Sequence, residues 1–412
     1  QQESLVSPLF RFLCRAGLPL LALSIASQPL AAQPDDTPRT IRSPQNAPVG
    51  APAVVPDPPL ITPAELQTLT GGPTLVTFSG QDVPVKEVVQ ALLDAAKIPP
   101  SRFEAPVGRI KTLTVDWKEV PFWSAASEVE KQSGGYWALY GDTLSLVADQ
   151  RAVQIPNLTR IMGVSTVPPS LNGILATQTP FVTIVANSLS RTTTRTTHLG
   201  EQRAPLQAVP DRTQLALSAY FDPKLKVRSV ALRDLKFQER DNAPVIQGRQ
   251  IRDLFTIRRR NGGTLISPQT VQIPAEITAG TTMARLSGVL HSEIIAASQT
   301  WTIPDLTAAP KTTRTFGANQ YTLESAEIRD NQLTLRLSAQ LPVDFSTFDS
   351  VSVRDAQGRN LPGGANRVSS QNAEFTFRFP EAFQGPYTLE WVIPTEVRSL
   401  DVPFELRDVP VP

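Results

Sequence analysis

A single cysteine and two histidines in 412 residues remove most thiol and metal chemistry at the outset. One thiol cannot build an internal disulfide framework. His198 and His291 stand far apart in the chain with no cysteine beside either, so the ligand spacings of a zinc site are missing. Asp355, Gln357 and Asn360 lack the acidic density of a calcium loop and read as a β-turn. Nucleophilic catalysis needs a base held beside serine or cysteine, and no Gly-x-Ser-x-Gly occurs. Gly262-Gly263 is not followed by Lys-Ser or Lys-Thr, so no phosphate loop forms there. Charge of one sign is also lacking: 39 basic against 38 acidic residues leave +1, too little to draw the chain to nucleic acid as a whole. Glu276, Glu293, Asp344 and Glu374 fall in or near β regions, where a carboxylate is ordinarily a solvated strand end. The expectation is a chain that binds rather than catalyses, without cofactor or metal.

Proline is what the chain has in excess, 38 residues against 22 glycines. Nine prolines, from Pro34 to Pro63, come with few apolar side chains. Residues 33–69 therefore read as an extended, polyproline-like linker without a core. Before it, Arg11 and Arg15 precede a short apolar run from Ala16 to Ala26, with small-residue cleavage sites at Ser24-Ile25-Ala26 or Leu30-Ala31-Ala32. That order makes residues 1–32 a secretory signal peptide, and the apolar run is too short to span a bilayer. Cys14 lies inside it, so the exported protein is expected to carry no cysteine, as suits an oxidising compartment. The expected location is periplasmic or extracellular, with no membrane span once the signal is cleaved.

Residues 70–150 contain one phrase twice. Asp82-Val83-Pro84-Val85 returns as Glu119-Val120-Pro121-Phe122, an offset of 37 residues. The offset carries Val85 onto Phe122, Val88 onto Ala125, Val89 onto Ala126 and Leu92 onto Val129, the inner face of an amphipathic helix in both copies. Each helix opens after Val-Pro, and proline suits a first turn, where its missing N–H has no partner anyway. Pro99-Pro100 stop one helix and Gly134-Gly135 the other. Lys86 and Glu128 fall on the outer faces. Strands flank the helices, and Gly141-Asp142 marks a two-residue hairpin. The expected order is β-α-β-β-α-β, with Val76, Phe78, Val88, Leu92, Val115, Phe122 and Val129 in one core beneath a single sheet.

Residues 77–83, 113–121 and 134–147 give this unit a pattern that resembles the short N-terminal domain of secretins and TonB-dependent receptors. The resemblance covers roughly a fifth of the chain. It implies a periplasmic plug or docking module that contacts protein partners, and it brings no catalytic residues. The rest of the chain resembles neither a secretin pore nor a receptor barrel, but uncharacterised exported β-rich modules.

From residue 151 the pattern turns to strands. Leu215, Leu217, Ala219 and Phe221 alternate with polar residues, the mark of a half-buried strand. Residues 151–305 read as one sandwich-like domain and 306–412 as an immunoglobulin-like sandwich without the cysteine pair, in which Leu333, Leu335, Leu337 and Phe375, Phe377, Phe379 alternate. The fold class expected is thus multidomain α+β: a two-helix α/β unit followed by two mainly antiparallel β-sandwich domains.

Two arginine groups are the candidate anion-binding residues: Arg191, Arg195 and Arg203, and Arg258, Arg259 and Arg260. Guanidinium forks suit carboxylate and phosphate groups. Aromatic platforms for stacked bases are not interleaved with them, so nucleic acid is not an expected partner. Three functions follow as expectations. The first is a non-enzymatic cell-envelope protein docking to envelope proteins through the α/β unit and the β modules. The second binds an anionic polysaccharide through the arginine loops. The third is a glycoside hydrolase with an unrecognised carboxylate pair.

Overall fold

The computed structural model describes residues 57–98, 111–140, 143–147, 170–192, 212–249, 251–252, 257–259, 263–306, 308–309, 311–317, 319–341, 351–369, 371–379 and 384–412. The signal peptide reading and the hairpin turn at Gly141-Asp142 lie outside them. The described chain is mostly β-strand, with three helices, and every strand ladder is antiparallel.

The chain enters as helix α1 (Pro63–Thr70), followed by β1 (Leu75–Pro84), α2 (Val85–Ala95), β2 (Thr112–Pro121), α3 (Phe122–Ser133), β3 (Tyr136–Tyr140) and β4 (Thr143–Val147). The 37-residue offset is a structural rule here. Strand β1 pairs with β2 from Leu75↔Pro121 to Pro84↔Thr112, so each copy lies antiparallel to the other. Asp82 and Glu119, one offset apart, both take the left-handed conformation at φ 52° and 53°. Neither helix has a side-chain cap. Instead the two copies cap each other: Val85 N–H donates to the Lys111 carbonyl at 3.1 Å and Phe122 N–H to the Thr74 carbonyl at 3.0 Å. The core holds the expected Val76, Val88, Leu92, Val115, Phe122 and Val129, with Phe78 partly buried against it. The single sheet expected over these helices is two separate ribbons, β1–β2 and β3–β4.

The second stretch runs β5 (Ile174–Gln178), β6 (Val182–Thr192), β7 (Arg212–Phe221), β8 (Val227–Gln238), β9 (Ile246–Gln247), β10 (Ile251–Arg252), β11 (Ile257–Arg259), β12 (Gly263–Ile273) and β13 (Thr282–Ile303). The last stretch adds β14 (Thr312–Phe316), β15 (Asn319–Arg329), β16 (Gln332–Ala339), β17 (Val351–Arg354), β18 (Gly363–Val368), β19 (Asn372–Arg378) and β20 (Thr388–Pro410). They form three larger sheets, ordered β11-β12-β7-β6-β5, β10-β8-β13-β20-β17 with β9 on β8, and β14-β15-β16-β19-β18.

Strand β7 shows why the half-buried reading fell short. Leu215, Leu217, Ala219 and Phe221 do face one core, shared with Leu286, Leu290 and Val402 from the opposing sheet. The intervening Ala216, Ser218 and Tyr220 are buried too. Tyr220, with Val185 and Ile266, belongs to the core of the α/β unit, which covers the other face of the same sheet. A strand covered on both faces loses its alternation.

Strands β13 and β20 pair without leaving each other from Thr282↔Pro410 to Ile303↔Leu389. The sequence reads each as two short strands, because the apolar alternation lapses in the middle, around Ala297 and Glu396. There the ribbon passes from one core to another. Leu286 and Phe404 pack in the core against β7, whereas Trp301 and Trp391 pack with Leu335 and Phe375. The segments 151–305 and 306–412 thus share a sheet across the boundary drawn between them.

The end of the proline-rich stretch is ordered as well. Thr62 Oγ1 accepts from Glu65 N–H at 3.2 Å while the Glu65 carboxylate accepts from Thr62 N–H at 2.7 Å, closing a capping box around Pro63 at the first helical position. Leu66 enters the core between the two sheets, so residues 57–69 are held by packing and not by composition. Residues 33–56 of the linker lie outside the described residues.

Candidate docking surfaces and the junction behind them

Helix α3 carries two buried stripes. Phe122, Ala125, Ala126 and Val129 face its own unit; Trp123 turns to β7 and Glu130 to the segment that leads into β5. The Trp123 indole N–H donates to the Phe221 carbonyl at 2.7 Å, and its ring meets Tyr220 with centroids 5.0 Å apart. Asp222, at the turn after β7, is 2% exposed. Its carboxylate accepts from Thr74 N–H at 2.7 Å, Thr74 Oγ1 at 2.9 Å and Lys224 N–H at 2.9 Å. Thr74 in turn offers its carbonyl to the first N–H of α3. Lys224 Nζ reaches back to the Gly72 carbonyl at 2.9 Å.

Glu130 is fully buried at the other end of this junction. It accepts from the Ser170 hydroxyl and from Leu171 N–H at 3.1 Å. Burial pushes its carboxyl above the ordinary range, against the lowering pull of those donors. Tyr220 is raised as well, first by burial and then by the nearby Glu130 charge. Glu128, placed on the outer face by the repeat, is not free: it accepts from the Trp117 indole N–H at 2.7 Å and from Gln132 at 2.9 Å. Sequence reasoning missed Trp123, Glu130 and Asp222. The only signal was a second helical stripe, Trp123 and Glu130 at i and i+7, hidden by its carboxylate.

Arg191 and the Arg258-Arg259 pair stand at opposite ends of one sheet. Arg191 sits opposite Thr213, which lies opposite Ile273 at the end of β12. Arg258 and Arg259, of which the backbone is described, pair with Thr264 and Gly263 at the start of β12. Nine residues of strand separate those ends, roughly 30 Å, too far for one small ligand. Arg195, Arg203 and Arg260 lie outside the described residues.

A third feature is a strap. Residues 57–61 cross the outer face of the sheet formed by β8, β13 and β20. Arg233 on β8 grips the Asp57 carboxylate with both terminal nitrogens, at 2.7 and 3.0 Å. At the far edge of β20, Ile61 N–H donates to the Ser399 carbonyl at 2.7 Å and Ser399 N–H to the Pro59 carbonyl at 2.8 Å, a parallel bridge. The cross-strand register puts Arg233 beside Val289, and His291 between Ala231 and Asp401, on this same face. His291 is 4% exposed, with Nδ1 at 2.6 Å from Asp401 Oδ1. Its Nε2 and the Ser399 hydroxyl are buried and have no partner among the described residues.

Finally, two strands at open sheet edges present aliphatic side chains to solvent: Leu75 on β1, 43% exposed, and Ile174 and Leu175 on β5, 51% and 53% exposed. No charged residue occurs from Ser170 to Ser190. A groove of about 560 Å³ runs beside β5, lined by Ile174, Leu189, Leu215 and Val409 among others. Among the described residues no three His, Cys, Asp or Glu side chains gather as a metal site, and no helix is long and apolar enough to cross a membrane. No protein-family model, curated protein or solved structure matches the chain.

Proposed function

We propose that this chain is an exported, non-enzymatic docking protein of the cell envelope. In this reading residues 70–150 are a counterpart of the short N-terminal domain of secretins and TonB-dependent receptors. The two stretches that follow are sandwich modules, the last one immunoglobulin-like, and protein partners are met at strand edges. The observation that carries the reading is the set of exposed aliphatic side chains at open edges, Leu75, Ile174 and Leu175. Soluble proteins ordinarily guard such edges with charge, proline or a covering element, and an unguarded apolar edge is a template for another strand. The α/β unit supports it from behind: α3 is clamped on the β7 sheet, so the β1 edge is held in a fixed pose. Among the described residues no observation specifically favours anionic polysaccharide, and none favours a hydrolase.

The test is photo-crosslinking in cells, with the reactive group placed in turn at Leu75, Leu175 and, as control, the exposed Lys236. Discrete protein adducts at the first two sites and not at the control are expected. Identical patterns at all three sites contradict edge docking. Residues 1–56 fused to a reporter active only outside the cytoplasm test export, and an inactive fusion contradicts that part.

A further inference from the structure

We propose that residues 57–61 are an internal ligand, and that the site they occupy on β20 and Arg233 accepts an extended acidic–Pro–Pro–aliphatic segment of a partner protein. This rests on the docking reading and names a recognition site that it leaves unspecified.

The strap itself reports the chemistry of the site. Asp57 meets a guanidinium fork that is held above its ordinary pKa mainly by that carboxylate. A bidentate grip of this kind selects a carboxylate by shape as well as charge. Pro58 and Pro59 keep the crossing chain extended and lose little freedom on binding. Ser399 then supplies one N–H and one carbonyl, the means by which a sheet edge takes an added strand. Ile61 packs against the core between the sheets.

The same contacts show that the strap is removable. Before Ile61 its contacts with the sheet include two backbone hydrogen bonds to Ser399 and an ion pair whose Asp57 side chain is 59% exposed. Leu60 points outward, 61% exposed. On the face the strap crosses, His291 Nε2 and Ser399 Oγ are buried without a partner among the described residues, and buried polar atoms without partners disfavour the state that buries them. Lifting the strap admits water to both. Helix α1 and Leu66 anchor the chain after residue 62, so the strap peels from its Asp57 end without unfolding the helix.

Two measurements on the full chain test this. Amide hydrogen exchange is expected to be at least tenfold faster at Ser399 and Ile61 than at the β13-paired amides of β20. A labelled peptide, Pro-Asp-Pro-Pro-Leu-Ile-Thr, is then titrated by fluorescence anisotropy. Asp57→Arg, which sets two cations against each other at an exposed site, should raise peptide affinity at least tenfold over the unaltered chain. Adding Arg233→Glu rebuilds the strap's ion pair with its charges exchanged, so it should close the strap and abolish that binding; Arg233→Glu alone sets two carboxylates against each other and should bind only a peptide with arginine in place of its aspartate. The proposal is overturned by exchange at Ser399 as slow as at its β13-paired neighbours, by no gain in affinity with Asp57→Arg, or by binding indifferent to Arg233→Glu. Crosslinking at Leu75 and Leu175 does not involve the strap, so failure here and failure of edge docking are separate outcomes.

Discussion

Replacing Asp222 with alanine should uncouple the α/β unit from the sheet it leans on. The carboxylate is 2% exposed and takes three donors, Thr74 N–H, Thr74 Oγ1 and Lys224 N–H. A net hydrogen bond to a charged group is worth about 1.5–3 kcal/mol, and a buried donor left unpaired costs about 1–3 kcal/mol. Thr74 is itself buried, so its N–H and hydroxyl lose their partner with no ready route to water. Removing the carboxylate also removes the cost of keeping a charge out of water, which offsets part of the loss. The expected net destabilisation is about 3 kcal/mol, a large part of the roughly 5–15 kcal/mol that hold a protein together. Urea unfolding gives the global value. Hydrogen exchange should locate the loss in α3 and β1 and not in β16 or β19. Thr74→Val, which removes only the hydroxyl, should cost about 1 kcal/mol alone and nearly nothing on top of Asp222→Ala. A change below about 0.5 kcal/mol for Asp222→Ala, within the range of ordinary surface substitutions, would refute the junction as argued.

The sequence shows the α/β repeat well for a physical reason. Val-Pro before each helix fixes φ and ends the strand in the same residue, so both copies put helix starts 37 residues apart. The inner stripes then follow from helix spacing, and six of the seven expected core residues are fully buried. The second stripe of α3 is not legible in that way, because a tryptophan and a glutamate make no apolar pattern. Their partners lie 98 residues on, at Phe221, and 40 residues on, at Ser170. Strand β7 teaches the same lesson from the other side: Ser218 and Tyr220 look solvent-facing until the α/β unit is laid over them. The strap is hidden by composition. Prolines 56–63 read as linker, yet Thr62 and Glu65 three residues apart are a helix-start signature that sat inside the stretch. The relation between Arg191 and Arg258 is hidden for a topological reason. Arg191 and Arg258 lie on different strands of one sheet, and strand direction sends them to opposite ends.

Three further outcomes follow from side chains in the α/β unit. Phe122→Ala should cost about 3–5 kcal/mol in urea unfolding, because the ring is 1% exposed among Val76, Val88 and Val115. Lys86→Ala should stay within about 0.5 kcal/mol, while Glu128→Ala should cost about 1–2 kcal/mol by stripping the buried Trp117 indole of its acceptor; equal effects for the two would mean that this hydrogen bond contributes no net stability. The last concerns Glu130. Burial raises its carboxyl pKa in the folded protein, so the fold keeps this proton at a pH where the unfolded chain, near about 4.3, has begun to release it. The stability it contributes is present in full below that unfolded value and is lost as pH rises through the folded one. Glu130→Gln holds the side chain neutral at every pH and removes that slope. Unfolding free energies measured from about pH 4 to 8 should therefore show the variant gaining on the parent as pH rises. A difference that stays constant with pH means that the donors cancel the effect of burial, and one that moves in the parent's favour means that Ser170 and Leu171 stabilise the carboxylate as an anion; either refutes the raised pKa.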